Sequence, residues 1–265
     1  MMKKHPMFWF YVLAFAISWL GWLPMVAASR GISWFQHPAF QILLLLPAIG
    51  PTLAAVTIQR VLSDKTKTGV WFRSLWHWKA GVLWFVVAIV LPLTLHLADN
   101  LTAQTFGLSP SSEMAGEKTA GLFLPAFVMA LLSNPWEEVG WRGFALPRLQ
   151  ARYPAFTATL IVGALWALWH LPLFFWADNP MSEYPFVLWF ISTVAVSFVY
   201  TWLYNSTQGS VLFVALYHVM DNTFGVLISS GSVAARGVVN LVVAAILCAV
   251  FGMGELSRLE RVRAD

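Results

Sequence analysis

The sequence predicts an all-α integral membrane protein, with about eight transmembrane helices around an intramembrane polar cavity. Three observations lead there. The 265 residues are 59% hydrophobic and 11% charged, with a mean hydropathy of +0.69, whereas a soluble domain is nearer a quarter charged. Eight apolar stretches each approach the roughly 20 residues that a helix needs to cross a bilayer. The basic residues collect at alternate ends of those stretches.

The stretches are 7–28, 39–61, 80–98, 119–141, 155–177, 185–204, 209–229 and 234–254. The first is too long and too rich in Trp for the apolar region of a signal peptide, so an uncleaved anchor is expected. Between the second and third, the Trp-rich run 71–78 reads as an interfacial segment. The third has His96 near its outer end, and His96 with Asp99 reads as an interface feature. The fourth carries Glu137 and Glu138, and the fifth carries His170. The seventh is the least apolar, because it holds His218, Asp221 and Asn222. The runs are continuous and do not alternate, which excludes the ten-residue strands of a membrane barrel. Fifteen Trp and twenty Phe suit many lipid interfaces, where Trp favours the headgroup level. A single cysteine, Cys248, rules out an internal disulfide. No linker or repeat divides the chain, so residues 1–265 are expected to form one polytopic domain, with the chemistry-bearing core at about 119–230.

Charge sets the orientation. With the N-terminus inside, the inner ends hold Lys3 and Lys4; Arg60, Lys65, Lys67, Arg73 and Lys79; Arg142, Arg148 and Arg152; and Arg258, Arg261 and Arg263. The outer ends hold Arg30, Lys118 and Arg236. Thirteen against three is a strong positive-inside bias, and an odd number of spans would spoil it. The expectation is a multi-pass protein with both termini cytoplasmic and the 99–118 loop outside, in the cell membrane if the host is bacterial. The net charge of +4 is no nucleic-acid signal, because the cations sit at segment ends. The partner expected from composition is the bilayer.

Two adjacent carboxylates at membrane depth need a reason, since each costs about 2.5 to 3.5 kcal/mol even on the gentler insertion scale. If the fourth helix runs on to Arg148 and Arg152, Glu137 lies about 15 Å below the inner surface. His218, about ten residues past the Gln208-Gly209 turn, lies at a similar depth, and His170 is deeper, at about 24 Å in a straight helix. Glu138 and Arg142 stand four apart and share a helix face, so they can pair. Glu137 points about 100° away and is free for another partner. His218 and Asn222 also share a face. A carboxylate beside a histidine suits general-base activation of water. A second histidine and an amide suit hydrogen bonds to a developing oxyanion. Together they make a site for amide hydrolysis.

Each residue also has a plainer reading. Glu138–Arg142 can be a structural ion pair, Glu137 can be a residue near a helix break at Pro135, and His170 can satisfy a carbonyl near a kink at Pro172. Asn222 can be an interhelical hydrogen bond. Asp221 is read as supporting the helix end. Buried Glu and His also build proton relays, so a proton-coupled transporter using Glu137, His170 and His218 is the alternative. Against it, the intramembrane polarity is confined to the second half of the chain, where a repeat-built transporter would show it in both.

Glu137-Glu138-x-x-x-Arg142 followed by Gly143-Phe144, then Trp166-x-x-x-His170, then His218-x-x-x-Asn222, on successive apolar segments, resembles the CAAX-protease and bacteriocin-processing (CPBP) family. These are intramembrane endopeptidases whose eukaryotic members include the type II CAAX prenyl endopeptidase. The resemblance runs from Asn134 to Asn222. It implies that Glu137 and His170 activate the attacking water, that His218 and Asn222 stabilise the oxyanion, and that Glu138 and Arg142 hold the site together. It implies a peptide or membrane-protein substrate, which in the eukaryotic relatives is a prenylated C-terminal peptide. The family more often has Phe where Trp166 stands, a departure expected to bear on packing and not on chemistry. Zinc held by Glu137, His170 and His218 is the alternative to a metal-free mechanism, since His and carboxylates ligate catalytic zinc. No His-Glu-x-x-His supports it.

Overall fold

The computed structural model describes residues 1–110, 120–228 and 232–264. The protein is an all-helical integral membrane protein. Its α-helices among the described residues are α1 (Pro6–Ser29), α2 (Leu45–Leu62), α3 (Lys65–Ser74), α4 (Val82–Phe106), α5 (Phe123–Gly140), α6 (Leu146–Gln150), α7 (Ala155–Trp169), α8 (Phe186–Ser206), α9 (Val211–Ile228) and α10 (Val233–Phe251). Six described segments are long and apolar enough to cross a membrane: α1, Pro38–Leu62, α4, α8, α9 and α10. The other two expected spans fall short for physical reasons. The Asn134-to-Glu138 stretch lowers the hydropathy of α5. The fifth span was expected to reach 177, but α7 stops at Trp169 with His170 as its C-cap. Pro172 accounts for the stop, because a proline disfavours helical geometry in the residue before it.

The third span differs the other way. It continues eight residues past 98 to Phe106 and ends on Gly107, in the left-handed region at φ +62°. His96 and Asp99 are therefore not interface residues: they are 4% and 0% exposed. They face Asp221 of α9 and Arg236 of α10. Arg236, counted above as an outer-end charge, lies in the first turn of α10 and pairs with Asp221 and with Asp99. A part of the expected outer loop, 111–119 with Lys118, lies outside the described residues.

Helix α5 packs on α2 and α9, α4 on α9 and α10, and α7 and α10 on α8. Two glycines make the approaches that set up the polar centre. A Cβ on Gly140 would lie 2.7 Å from the Pro51 carbonyl oxygen, so only glycine lets α2 lie this close to the end of α5. There the Thr52 hydroxyl donates to the Trp136 carbonyl. A Cβ on Gly163 would lie 3.0 Å from the Ser197 Cβ, which brings α7 against α8. Close backbone approach through small residues is the usual driver of helix association in lipid, where burial in the bilayer gives none.

Pro135 does not break α5. The helix continues to Gly140 and then widens into a π turn over Trp141–Ala145 before α6. Such turns are rare and gather at functional sites. Its five residues are buried, with Trp141, Phe144 and Ala145 fully enclosed. Trp141 joins Phe10, Tyr11 and Trp169 in an aromatic cluster that anchors α1 to the motif-bearing helices.

The C-terminal tail closes one end of the bundle. The first N–H groups of a helix have no partner inside it. Here the tail carbonyls of Gly254 and Met253 accept from Ala155 and Phe156 at 2.8 and 3.0 Å. Gln150 and Asn205 exchange amide hydrogen bonds of 2.9 and 2.8 Å between α6 and α8. The tail is tied to the same pair, since Gln150 donates to the Val262 carbonyl and Asn205 to that of Glu255, each at 2.8 Å.

Candidate active site

The end of α5 brings both glutamates into the bundle, Glu137 at 8% and Glu138 at 0% exposure. Being adjacent, they serve different neighbours. Glu138 accepts from Arg142 Nη1 at 3.0 Å on each carboxylate oxygen. Its Oε1 also meets His218 Nδ1 of α9 at 2.8 Å. The sequence reading paired Glu138 with Arg142 but not with His218. Arg142, 1% exposed, is held between the rings of Trp166 and Tyr200, its guanidinium carbon 4.5 and 4.2 Å from their centroids. Its Nη2 reaches Ser197 Oγ at 3.5 Å.

Glu137 turns towards α7, where its Oε2 accepts from the indole N–H of Trp166 at 3.1 Å. Trp166 is the residue at which the chain departs from the familiar pattern. The departure reaches past packing, because a phenylalanine has no N–H to donate. The Trp166 ring lies between the two histidines, its centroid 5.7 Å from His170 and 5.5 Å from His218. Glu137 and both histidines therefore meet around one indole.

His170 caps α7 and is half-buried. Its Nδ1 is 2.8 Å from the Trp166 carbonyl oxygen. A carbonyl only accepts, so Nδ1 carries the proton and Nε2 of the neutral ring keeps a lone pair. Indoles of Trp169, Trp189 and Trp22 surround the ring at 4.7, 5.3 and 6.1 Å. On His218, likewise, Nδ1 donates to Glu138 and Nε2 points elsewhere. An acceptor on one ring nitrogen fixes the tautomer and the orientation of an imidazole.

Asn134 supports the same helix pair, its amide donating to the His218 carbonyl at 3.2 Å. Asn222, one turn beyond His218, is exposed. The four expected catalytic residues are thus divided. Glu137 and His218 are enclosed, His170 is at the edge, and Asn222 lies on the outside of α9. A cavity of about 470 Å³ exists in the structure, but it lies at the end of the bundle and none of these four lines it.

Glu137, His170 and His218 are the residues of the zinc alternative. Among the described residues no three His, Cys, Asp or Glu side chains are placed to hold one metal ion. One Glu137 oxygen is engaged by Trp166 and one His218 nitrogen by Glu138. No step below is routed through a metal.

Residues 119–224, which contain this whole arrangement, match the family model described as type II CAAX prenyl endopeptidase Rce1-like. Over this stretch the chain is similar to the CAAX protease family. CAAX prenyl protease 2 of Methanococcus maripaludis is 28% identical over 172 residues, covering 61% of this chain and 64% of the relative. The match spans just under two thirds of that relative's length. The family match ends two residues past Asn222, so its boundaries hold α5, the π turn, α7, α8 and most of α9. The Glu138–Arg142–His218 triad, Trp166 and Tyr200 all fall inside it.

Two features of this site were not visible from spacing. Tyr200 and Ser197 lie on α8, which carries none of the motif residues, and no periodicity singles them out. The role of Trp166 did leave a signal. A residue that changes Phe to Trp beside a buried carboxylate introduces a donor, and a buried indole N–H takes an acceptor when one is in reach.

Proposed function

We propose that the chain is an intramembrane endopeptidase that hydrolyses a peptide bond of a membrane-associated substrate, and that a prenylated C-terminal peptide is the class it takes. The observation that carries this reading is the convergence on Trp166 of one free-standing glutamate and two histidines whose Nδ1 atoms are engaged. Glu137 and the Nε2 lone pair of His170 take the proton from a water. The resulting hydroxide attacks the carbonyl carbon and the proton passes on to the leaving amine. His218, protonated on both nitrogens beside Glu138, donates through Nε2 to the oxyanion, and Asn222 adds its amide from the substrate side. Glu138 and Arg142 hold His218 in place. The reaction needs no metal in this scheme. Both termini and the tail-covered end are on the cytoplasmic side, a reading supported by the placement of the basic residues.

The test is single-turnover cleavage of a farnesylated C-terminal peptide, and of the same peptide unprenylated, by purified protein in detergent. Glu137→Gln keeps the shape but cannot take the proton, and general-base help is worth about 10² to 10⁴ in rate. Cleavage by the wild type, with that loss in the variant and binding retained, is expected. Near-wild-type cleavage by Glu137→Gln would remove Glu137 as the base. A chelator-sensitive rate restored by zinc would overturn the metal-free scheme. Proton flux in proteoliposomes with no cleavage of either peptide would replace the reading by a transporter.

A further inference from the structure

The cavity of about 470 Å³ lies where α4 begins and where α8 and α10 end, under the C-terminal tail. Its lining has two parts. Lys79 and Arg258 are exposed cations, one before α4 and one in the tail, and no carboxylate lines the cavity with them. Trp84, Trp202 and Phe251 make an aromatic wall, with Trp84 to Trp202 at 5.5 Å and Trp202 to Phe251 at 5.8 Å between ring centroids. Ser257 adds a hydroxyl. The indole Nε1 of Trp202 is buried and has no hydrogen-bond partner among the described residues.

These features sort by height as a phospholipid does. The cations and hydroxyl stand outside the helix ends, and the aromatic rings lie near the ends of α8 and α10 and in the first turn of α4. Trp at that level marks the headgroup zone of a bilayer. Val86 and Val250, further along α4 and α10, are 52% and 60% exposed and offer an apolar surface for a chain to follow. Zwitterionic lipid would bring a cation of its own between Lys79 and Arg258. An anionic headgroup brings none.

We infer that this cavity is a site for an anionic phospholipid, its phosphate held between Lys79 and Arg258 and its acyl chain laid along Trp84, Trp202 and Phe251. The site is separate from the glutamate–histidine centre and does not depend on the proposed reaction. By tying the tail to α4, α8 and α10, a bound lipid would brace the end of the bundle from which the tail caps α7.

The experiment uses the full chain, purified in detergent and freed of lipid. Phosphatidylglycerol and phosphatidylcholine of the same acyl composition are titrated separately, as is inorganic phosphate, and retention is read by native mass spectrometry beside the melting temperature. Phosphatidylglycerol is expected to be retained and to raise the melting temperature, with phosphatidylcholine and inorganic phosphate doing neither. Each membrane-proximal cation contributes about fivefold to anionic-lipid affinity. Lys79→Ala with Arg258→Ala should therefore weaken retention by roughly 25-fold. Both positions are exposed, so the double variant keeps its fold. Equal retention of the two lipids, unchanged retention by the double variant, or stabilisation by inorganic phosphate alone would each overturn the inference.

Discussion

Replacing Arg142 by alanine is expected to destabilise the protein, beyond any effect on cleavage. Its guanidinium is 1% exposed and Glu138 is 0% exposed, so water does not replace a lost contact. The substitution removes both 3.0 Å hydrogen bonds to Glu138 and the stacking on Trp166 and Tyr200. Glu138 is then a buried carboxylate with His218 as its remaining partner. Breaking a buried pair from one side costs about 3 to 5 kcal/mol. For a chain of this size each kcal/mol moves the melting temperature by about 2 to 4 °C, so a fall of roughly 6 to 20 °C follows. The intrinsic fluorescence of fifteen tryptophans reports the transition in detergent. A double variant separates charge from shape. Glu138→Gln with Arg142→Met leaves no buried charge on either side, and apolar replacement of a buried ion pair is often neutral. It should recover most of the melting temperature and still fail to cleave, because His218 has lost its carboxylate. If Arg142→Ala melts within about 2 °C of wild type, less than 1 kcal/mol is involved. The pair would then not be a structural support, and lost cleavage would place Arg142 in the chemistry.

Two further outcomes rest on the same neighbourhood. Trp166→Phe keeps an aromatic ring and deletes the donor to Glu137; a hydrogen bond to a charged group is worth about 1.5 to 3 kcal/mol, so single-turnover cleavage should fall by about 10- to 160-fold. An unchanged rate would show that the indole only fills space. Asp221→Asn weakens the buried cluster of His96, Asp99 and Arg236, with Asp99 still 3.6 Å from Arg236; the expected loss is about 1.5 to 3 kcal/mol, read as a lower melting temperature, and an unshifted transition would make the cluster dispensable.

The sequence by itself determined the class of protein and the residues at its centre. Apolar length and the cost of unpaired backbone in lipid leave helices as the solution for continuous runs. The same cost made Glu137, Glu138, His170 and His218 conspicuous. Local spacing was enough for Glu138–Arg142, because residues four apart on a helix are neighbours whatever surrounds them. Only the tertiary structure decided the cross-helix partners. Adjacent carboxylates point about 100° apart, but which one meets a histidine depends on how α9 and α7 approach α5, within a bundle where Gly140 brings α2 against α5 and Gly163 brings α7 against α8. For that reason His218 went to Glu138, and Glu137 to Trp166. Helix ends behaved in the same way. Hydropathy placed His96 and Asp99 at an interface, whereas pairing with Asp221 and Arg236 compensates their charge and lets α4 continue with both residues inside. Composition counts each charge alone, and burial depends on the partner that folding brings to it.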